Sequence, residues 1–288
     1  MEKVDLCRGF KETRIVPTNA VILRKWKKRL PERFTGKSCV RLIPNKYGSD
    51  FKVLFNKRRA INIKYQERGC PFNRFLKIQY FTLGDYVVTS NSFPFAKNHR
   101  LIITKKHYAY PKLSDFKFIL RFSGLVDSTI ILSLKGSGAG IPSHLHFQVF
   151  DDKMPVMGAK TKPFLSNNEV NIERIIFPSY GIKITGKNTA KWLFKITKGI
   201  SNSYNLVIRN EQIILYPRTI VCPMKNDPVR FGATELSGFV ITRHKKTFKS
   251  ITKNQIENCL RRATLFKSKD IKRFETELRS ALTPTKQA

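Results

Sequence analysis

Residues 136–150 read GSGAGIPSHLHFQVF, and they decide how the rest of the chain is read. On an extended strand, residues two apart share a face. His144, His146 and Gln148 therefore fall on one side, with Leu145, Phe147 and Val149 on the other. The apolar side suits packing into a core, which leaves the polar side as a row of two imidazoles and an amide. The chain has only five histidines, and two of them stand one residue apart behind a glycine-rich run. Glycines let a backbone bend sharply and approach a ligand closely, so Gly136, Ser137 and Gly138 read as a turn whose N–H groups can cradle phosphates.

Three readings of the polar row are open on these residues alone. It is a set of incidental positions on a half-exposed strand, a zinc site built on the H-x-H pair, or a nucleophilic histidine with an amide donor beside a phosphoryl group. The metal reading lacks further ligands close by, Asp151 and Asp152 being the candidates. Buried without partners, such polar groups would each cost about 1–3 kcal/mol, which argues against an incidental row.

Composition bounds the rest. The 288 residues suffice for a substantial core, and a hydrophobic fraction of 41% excludes a disordered chain. The longest apolar runs, STIILSL and QIILY, are strand-sized and too short to span a membrane. The first residues include Glu2, Asp5 and Glu12 and form no signal-peptide core, so a cytoplasmic location is expected. Cys7, Cys39, Cys70, Cys222 and Cys259 are scattered with no C-x-x-C pair, so neither a disulfide framework nor a structural zinc is expected. Charge is the outlier: 55 Lys and Arg against 20 Asp and Glu leave +35, which implies anionic partners such as nucleotides, nucleic acid or acidic lipid.

Patterning gives the organisation. Residues 1–60 are basic and weakly patterned, expected as strand and loop. GDYVVTSNSF (84–93) and HRLIITKK (99–106) read as strands, followed by a helix over 112–126 with Ser114 as its cap candidate. STIILSL and HLHFQVF give another strand pair, and residues 158–171 carry loop chemistry and mark a boundary. Further strands are expected at YGIKITG, YNLVIRN, EQIILYPRT and SGFVITRH, with helices over 188–200, 250–265 and 269–282. Close-spaced strand pairs favour an α+β fold with a largely antiparallel sheet and flanking helices.

HLHFQVF resembles the histidine-triad superfamily motif, in which histidines alternate with apolar residues and the third position is His or Gln. Upstream, NSFPFAKNHRLIITKKH is similar to that superfamily's Asn–Pro–His–strand–Lys–His stretch, with Asn91, His99 and His107 in matching order. Gln148 in the third position resembles the transferase and phosphorylase branch: galactose-1-phosphate uridylyltransferases, diadenosine tetraphosphate phosphorylases and GDP-hexose phosphorylases. SYNLVIRNEQIILYPRT (203–219) and GATELSGFVITRH (232–244) are similar to the C-terminal segments of the phosphorylases. HLHFQ is nearest to the GDP-hexose group, while YNL…PR leans toward the dinucleotide group. The resemblance covers roughly residues 70–265.

It implies two histidine-triad-like halves, at 70–160 and 161–288, behind a basic extension at 1–69. It also implies a phosphorylase-type nucleotidyltransferase that takes a nucleotide sugar or dinucleoside polyphosphate and inorganic phosphate. His146 would be the nucleophile, its tautomer fixed by the carbonyl of His144, and Gln148 would donate to a phosphoryl oxygen. Asn91 would face the ribose, His99 would shape the phosphate pocket, and Lys135 and Arg218 would supply phosphate charge. Two departures stand out. The family's Asn at the end of the strand before the glycine turn is replaced by Ser133 or Leu134, and the zinc-binding cysteines of some uridylyltransferases are absent. The basicity leaves two alternatives: the same fold acting on RNA or DNA ends, or a non-catalytic nucleotide- or nucleic-acid-binding module.

Overall fold

The computed structural model describes residues 17–27, 30, 39–57, 72, 80–219, 231–265 and 267–283. Thr18 caps α1 (Asn19–Trp26), its hydroxyl accepting the Val21 N–H at 3.4 Å. β1 (Val40–Ile43) and β2 (Phe51–Phe55) then form an antiparallel pair.

The next elements are β3 (Tyr80–Leu83), β4 (Tyr86–Ser90), β5 (Arg100–Thr104), α2 (Leu113–Leu125), β6 (Thr129–Ser133) and β7 (His146–Phe150). A second set repeats the plan: β8 (Thr161–Ser166), β9 (Val170–Ile175), β10 (Ile182–Gly186), α3 (Thr189–Gly199), β11 (Tyr204–Arg209) and β12 (Gln212–Pro217). All ten strands lie in one sheet, ordered β3-β4-β5-β7-β6-β11-β12-β10-β9-β8. From its outer edge inward, each half places three sequential strands, then its fifth, then its fourth. Equivalent strands meet at the seam, where β6 and β11 pair antiparallel from Ile130–Ile208 to Ser133–Asn205. The fold is thus α+β, with the same five-strand unit used twice.

The chain continues through α4 (Ala233–Leu236), β13 (Phe239–Thr242), α5 (Lys245–Ser250), α6 (Lys253–Ala263) and α7 (Ser268–Leu282). β13 pairs with β2 in parallel, which the long intervening chain permits, and completes a small sheet β1-β2-β13. Strand alternation divides the core. One face of the large sheet presents Ile102, Phe147, Val149, Leu206 and Leu215 to residues of α2, α3 and α7, including Phe116, Leu193 and Phe274. The opposite face presents Ile131, Phe150, Val207, Ile214 and Tyr216 to Phe51, Phe239, Leu236 and Leu260 of the small sheet and its helices. Each such buried side chain contributes about 1.5–3 kcal/mol. No helix among the described residues is long and apolar enough to cross a membrane.

The structure departs from the sequence reading in five places. Residues 158–171, read as loop and a boundary, contain β8 (161–166) and the start of β9 at Val170. Pro163 is tolerated because β8 is the sheet's outer strand, and the ladder shifts register between Pro163 and Leu165. α1 forms inside the basic N-terminal stretch, and β3 adds a strand before β4. A separate α5 precedes the expected 250–265 helix. Lastly, Ser114 is not the cap of α2, because Lys112 takes that place and the Asp115 carboxylate accepts the Lys112 N–H at 2.7 Å. The buried carboxylate needs several donors, and the Tyr86 and Tyr108 hydroxyls supply two more at 2.6 and 2.8 Å.

Candidate active site

His146 opens β7, and the residues just before it are held by cross-links instead of a ladder. Leu145 N–H donates to the Tyr108 carbonyl at 2.6 Å, and the Thr104 N–H and hydroxyl donate to the Leu145 carbonyl at 3.3 and 3.2 Å. From His146 onward the ladder takes over, pairing Ile103 with His146 and both Leu101 and Ile131 with Gln148. Leu145, Phe147 and Val149 are thereby committed to the helical side of the sheet. His146 and Gln148 face the other way.

His146 is 9% exposed. Its Nδ1 lies 2.9 Å from the His144 carbonyl, which can only accept, so Nδ1 carries the proton and Nε2 keeps its lone pair. Burial holds the His146 pKa below the ordinary histidine value, while the bond to the His144 carbonyl pulls the other way. The ring is therefore neutral near pH 7, as a nucleophile must be. His144 is fixed in turn, donating from Nε2 to the Thr104 carbonyl at 2.7 Å. Burial pushes its pKa down to about 4; the Thr104 bond opposes the fall, and the neighbouring His107 and His146 imidazoles add to it. Phe72 stands edge-on to both rings, its centroid 5.2 Å from His144 and 5.1 Å from His146. His107 stacks on the far side of His144 at 4.7 Å.

The upstream motif meets this row across β5. The Phe95 N–H donates to His99 Nδ1 at 3.3 Å, which places the His99 proton on Nε2, 3.1 Å from Gln148 Oε1. With its oxygen so occupied, Gln148 has its NH2 group to offer. Asn91 Oδ1 accepts the Phe93 N–H at 2.8 Å, and its Nδ2 is 2.9 Å from His99 Nε2, a neighbour of that proton and not its acceptor. The five residues Asn91, His99, His144, His146 and Gln148 thus come together from two stretches separated in sequence.

Lys135, Gly136, Gly138 and Arg218 gather instead around Ser203 and Phe231. Gly136 and Gly138 adopt φ of +81° and +90°, and a Cβ on them would meet Ser203 Oγ at 2.6 Å and the Phe231 carbonyl at 2.8 Å. The glycines here are demanded by close approach of the second half of the chain. Ser137 is fully buried; its hydroxyl accepts the Leu134 N–H at 2.6 Å and donates to the Leu134 carbonyl at 3.0 Å, so it closes the turn. Lys135 is exposed, and the Ser203 hydroxyl donates to its carbonyl at 2.9 Å. Arg218 is buried at the end of β12, with Nη2 donating to the Phe231 carbonyl at 3.2 Å and its N–H to the Ser203 carbonyl at 2.7 Å. Beside Gly140 the space is open.

Sequence reasoning missed Asn205. Fully buried on β11, it donates from Nδ2 to Ser133 Oγ at 2.8 Å and the Ser137 carbonyl at 2.9 Å. An amide therefore does stand beside Ser133, supplied from the other half. Its signal was a lone Asn inside the apolar run YNLVI. Among the described residues no group of three or more His, Cys, Asp or Glu is placed to hold a metal ion.

No protein-family model matches the sequence, and no curated protein matches it either. Solved structures do. Yeast Ap4A phosphorylase Apa2 in complex with Ap4A superposes with a TM-score of 0.61 at 13% identity, covering 79% of this chain and 90% of that one. A crystal structure of the same yeast enzyme gives a TM-score of 0.56 at 12% identity over 79% and 87%. Its AMP complex gives 0.55 at 11% over 79% and 88%. The chain thus has the fold of yeast Ap4A phosphorylase Apa2.

Proposed function

We propose that the chain is a phosphorylase-type nucleotidyltransferase acting on dinucleoside polyphosphates. The observation that carries this reading is the bare Nε2 of His146, held neutral by the His144 carbonyl and flanked by the Gln148 amide. Nε2 attacks the α-phosphorus, an N–P bond forms, and the anhydride P–O bond breaks with its electrons leaving on the departing phosphate oxygen. Two displacements then replace one difficult transfer. The Gln148 NH2 group donates to a non-bridging oxygen as charge builds there. An amide cannot move protons, so the nucleotidyl-histidine persists until a phosphate oxygen displaces Nε2 and releases a nucleoside diphosphate. Asn91 contacts the ribose from beside His99, and the exposed Lys135 adds positive charge toward the outer phosphates. The HLHFQ motif makes a GDP-hexose the second substrate to try.

Intact mass after incubation with Ap4A, and separately with a GDP-hexose, in the absence of phosphate tests the chemistry. The expected result is a nucleotide-monophosphate adduct on the native chain that vanishes on adding phosphate and never forms in His146→Ala. An adduct that survives that substitution overturns the assignment.

A further inference from the structure

We infer that Tyr108 is a positioning residue for His146: anchored through its hydroxyl on the buried Asp115 carboxylate, it fixes the His144–Leu145 peptide whose carbonyl sets the His146 tautomer. This deepens the proposed function and rests on that reading for the effect on rate alone.

Two hydrogen bonds that meet just before β7 belong to one peptide unit. The His144 carbonyl accepts from His146 Nδ1 at 2.9 Å, and the Leu145 N–H donates to the Tyr108 carbonyl at 2.6 Å. No cis bond occurs among the described residues, so the C=O and N–H of this unit lie in one plane and point in opposite directions. Holding the N–H therefore aims the carbonyl. Each bond also polarises the peptide in the sense that strengthens the other. The His144 carbonyl cannot turn away from the His146 ring without breaking the Tyr108 bond.

Tyr108 itself lies outside the ladder, in the connection between β5 and α2. Its side chain supplies the grip that a ladder would otherwise give. The hydroxyl donates to Asp115 Oδ1 at 2.8 Å, and Lys112 Nζ lies over the ring at 4.5 Å. Asp115 is buried in the first turn of α2, where its Oδ2 accepts the Lys112 N–H at 2.7 Å. Burial, and after it the Asp115 charge, push the Tyr108 pKa well above the ordinary tyrosine value, so the hydroxyl keeps its proton and donates. Contacts thus run without a break from α2 through Tyr108 to the peptide that faces the nucleophile.

Tyr86 offers a matched contrast. Its hydroxyl donates to the same Asp115 Oδ1 at 2.6 Å, yet its backbone is held by the ladder, opposite Leu83 on β3 and Thr104 on β5. Losing that hydroxyl costs stability but leaves the His144–Leu145 peptide in place.

The test is long-range proton–nitrogen NMR of the histidine rings, without substrate, in the native chain, Tyr108→Phe and Tyr86→Phe. His146→Gln assigns the His146 signals by their loss. The native chain should show His146 protonated on Nδ1. Tyr108→Phe should raise the Nε2–H form to about a tenth of the population or more. It should also slow single-turnover adduct formation from Ap4A by about tenfold, with the half-saturating concentration changed by less than about threefold. Tyr86→Phe should lower the melting temperature while the tautomer stays as in the native chain and the rate stays within about twofold. Asp115→Asn keeps an acceptor but loses the charge that strengthens the bond, so it should shift tautomer and rate in the direction of Tyr108→Phe, and it decides the matter if that variant does not fold. An unchanged tautomer in Tyr108→Phe, or an equal shift in Tyr86→Phe, would overturn the inference. Absence of an adduct from the native chain would overturn the chemistry alone, because the tautomer is read without substrate.

Discussion

The two halves of the large sheet share a topology and differ in what one face carries. On β7 that face bears His146 and Gln148; on β12 it bears Ile214 and Tyr216, buried under the small sheet and its helices. The same scaffold carries the proposed site once and core once. The second half nevertheless serves the first, since Asn205 and Ser203 on its side hold the glycine turn in place. A duplicated fold therefore need not hold two sites: covering one face of a half converts a site into packing that steadies the other.

Substitutions on matched faces separate these roles. His146→Gln should lower turnover by about ten-thousandfold or more with little change in melting temperature, because it removes the proposed nucleophile from a site that otherwise stays intact. Ile214→Ala on β12 should do the reverse. It leaves a cavity in the core, costing about 2–5 kcal/mol in chemical denaturation, with turnover per folded molecule unchanged. Comparable losses of turnover in both would break the contrast.

Acid should destabilise the first half selectively. His144 has a folded pKa of about 4 against 6.5 unperturbed, so its contribution is fully present above about pH 6.5 and is lost as pH falls toward 4. The loss amounts to about 3 kcal/mol. Denaturation midpoints measured across that window should show the decline, and His144→Asn should lessen it, with His146 keeping a share because burial lowers its pKa as well. β12 carries no histidine, so an undiminished slope in that variant would place the titration elsewhere. The smallest effect is expected of Gln148→Ala, about a hundredfold in turnover, the scale of one lost donor to a developing oxyanion. Single-turnover rates of adduct formation would measure it.

Much of this was legible in the sequence because it rests on local period. Alternation in HLHFQVF fixed which side chains face the helices, and apolar runs marked β4, β5, β6, β10, β11, β12 and β13. The paired motifs brought Asn91 and His99 to the row that His146 and Gln148 line. What escaped depends on distant partners. β8 contains a proline that only its edge position excuses. The Asp115 carboxylate displaces a serine cap because two tyrosines reach it through tertiary packing. Asn205 replaces a missing strand-end amide across a seam more than 70 residues long in sequence, its Ser133 partner being 72 residues away. Ser137 looked like a phosphate contact from its neighbours, but its burial is set by the second half.

The seam between β6 and β11 has one further consequence. Its backbone hydrogen bonds carry the ladder across the midline without interruption, so the halves have no hinge about which to swing apart. A ligand must then arrive over the rim of a rigid plate, and access is governed by side chains and surface loops rather than by jaws that open. Amide exchange at Ile130–Leu132 should stay slow whether or not nucleotide is bound.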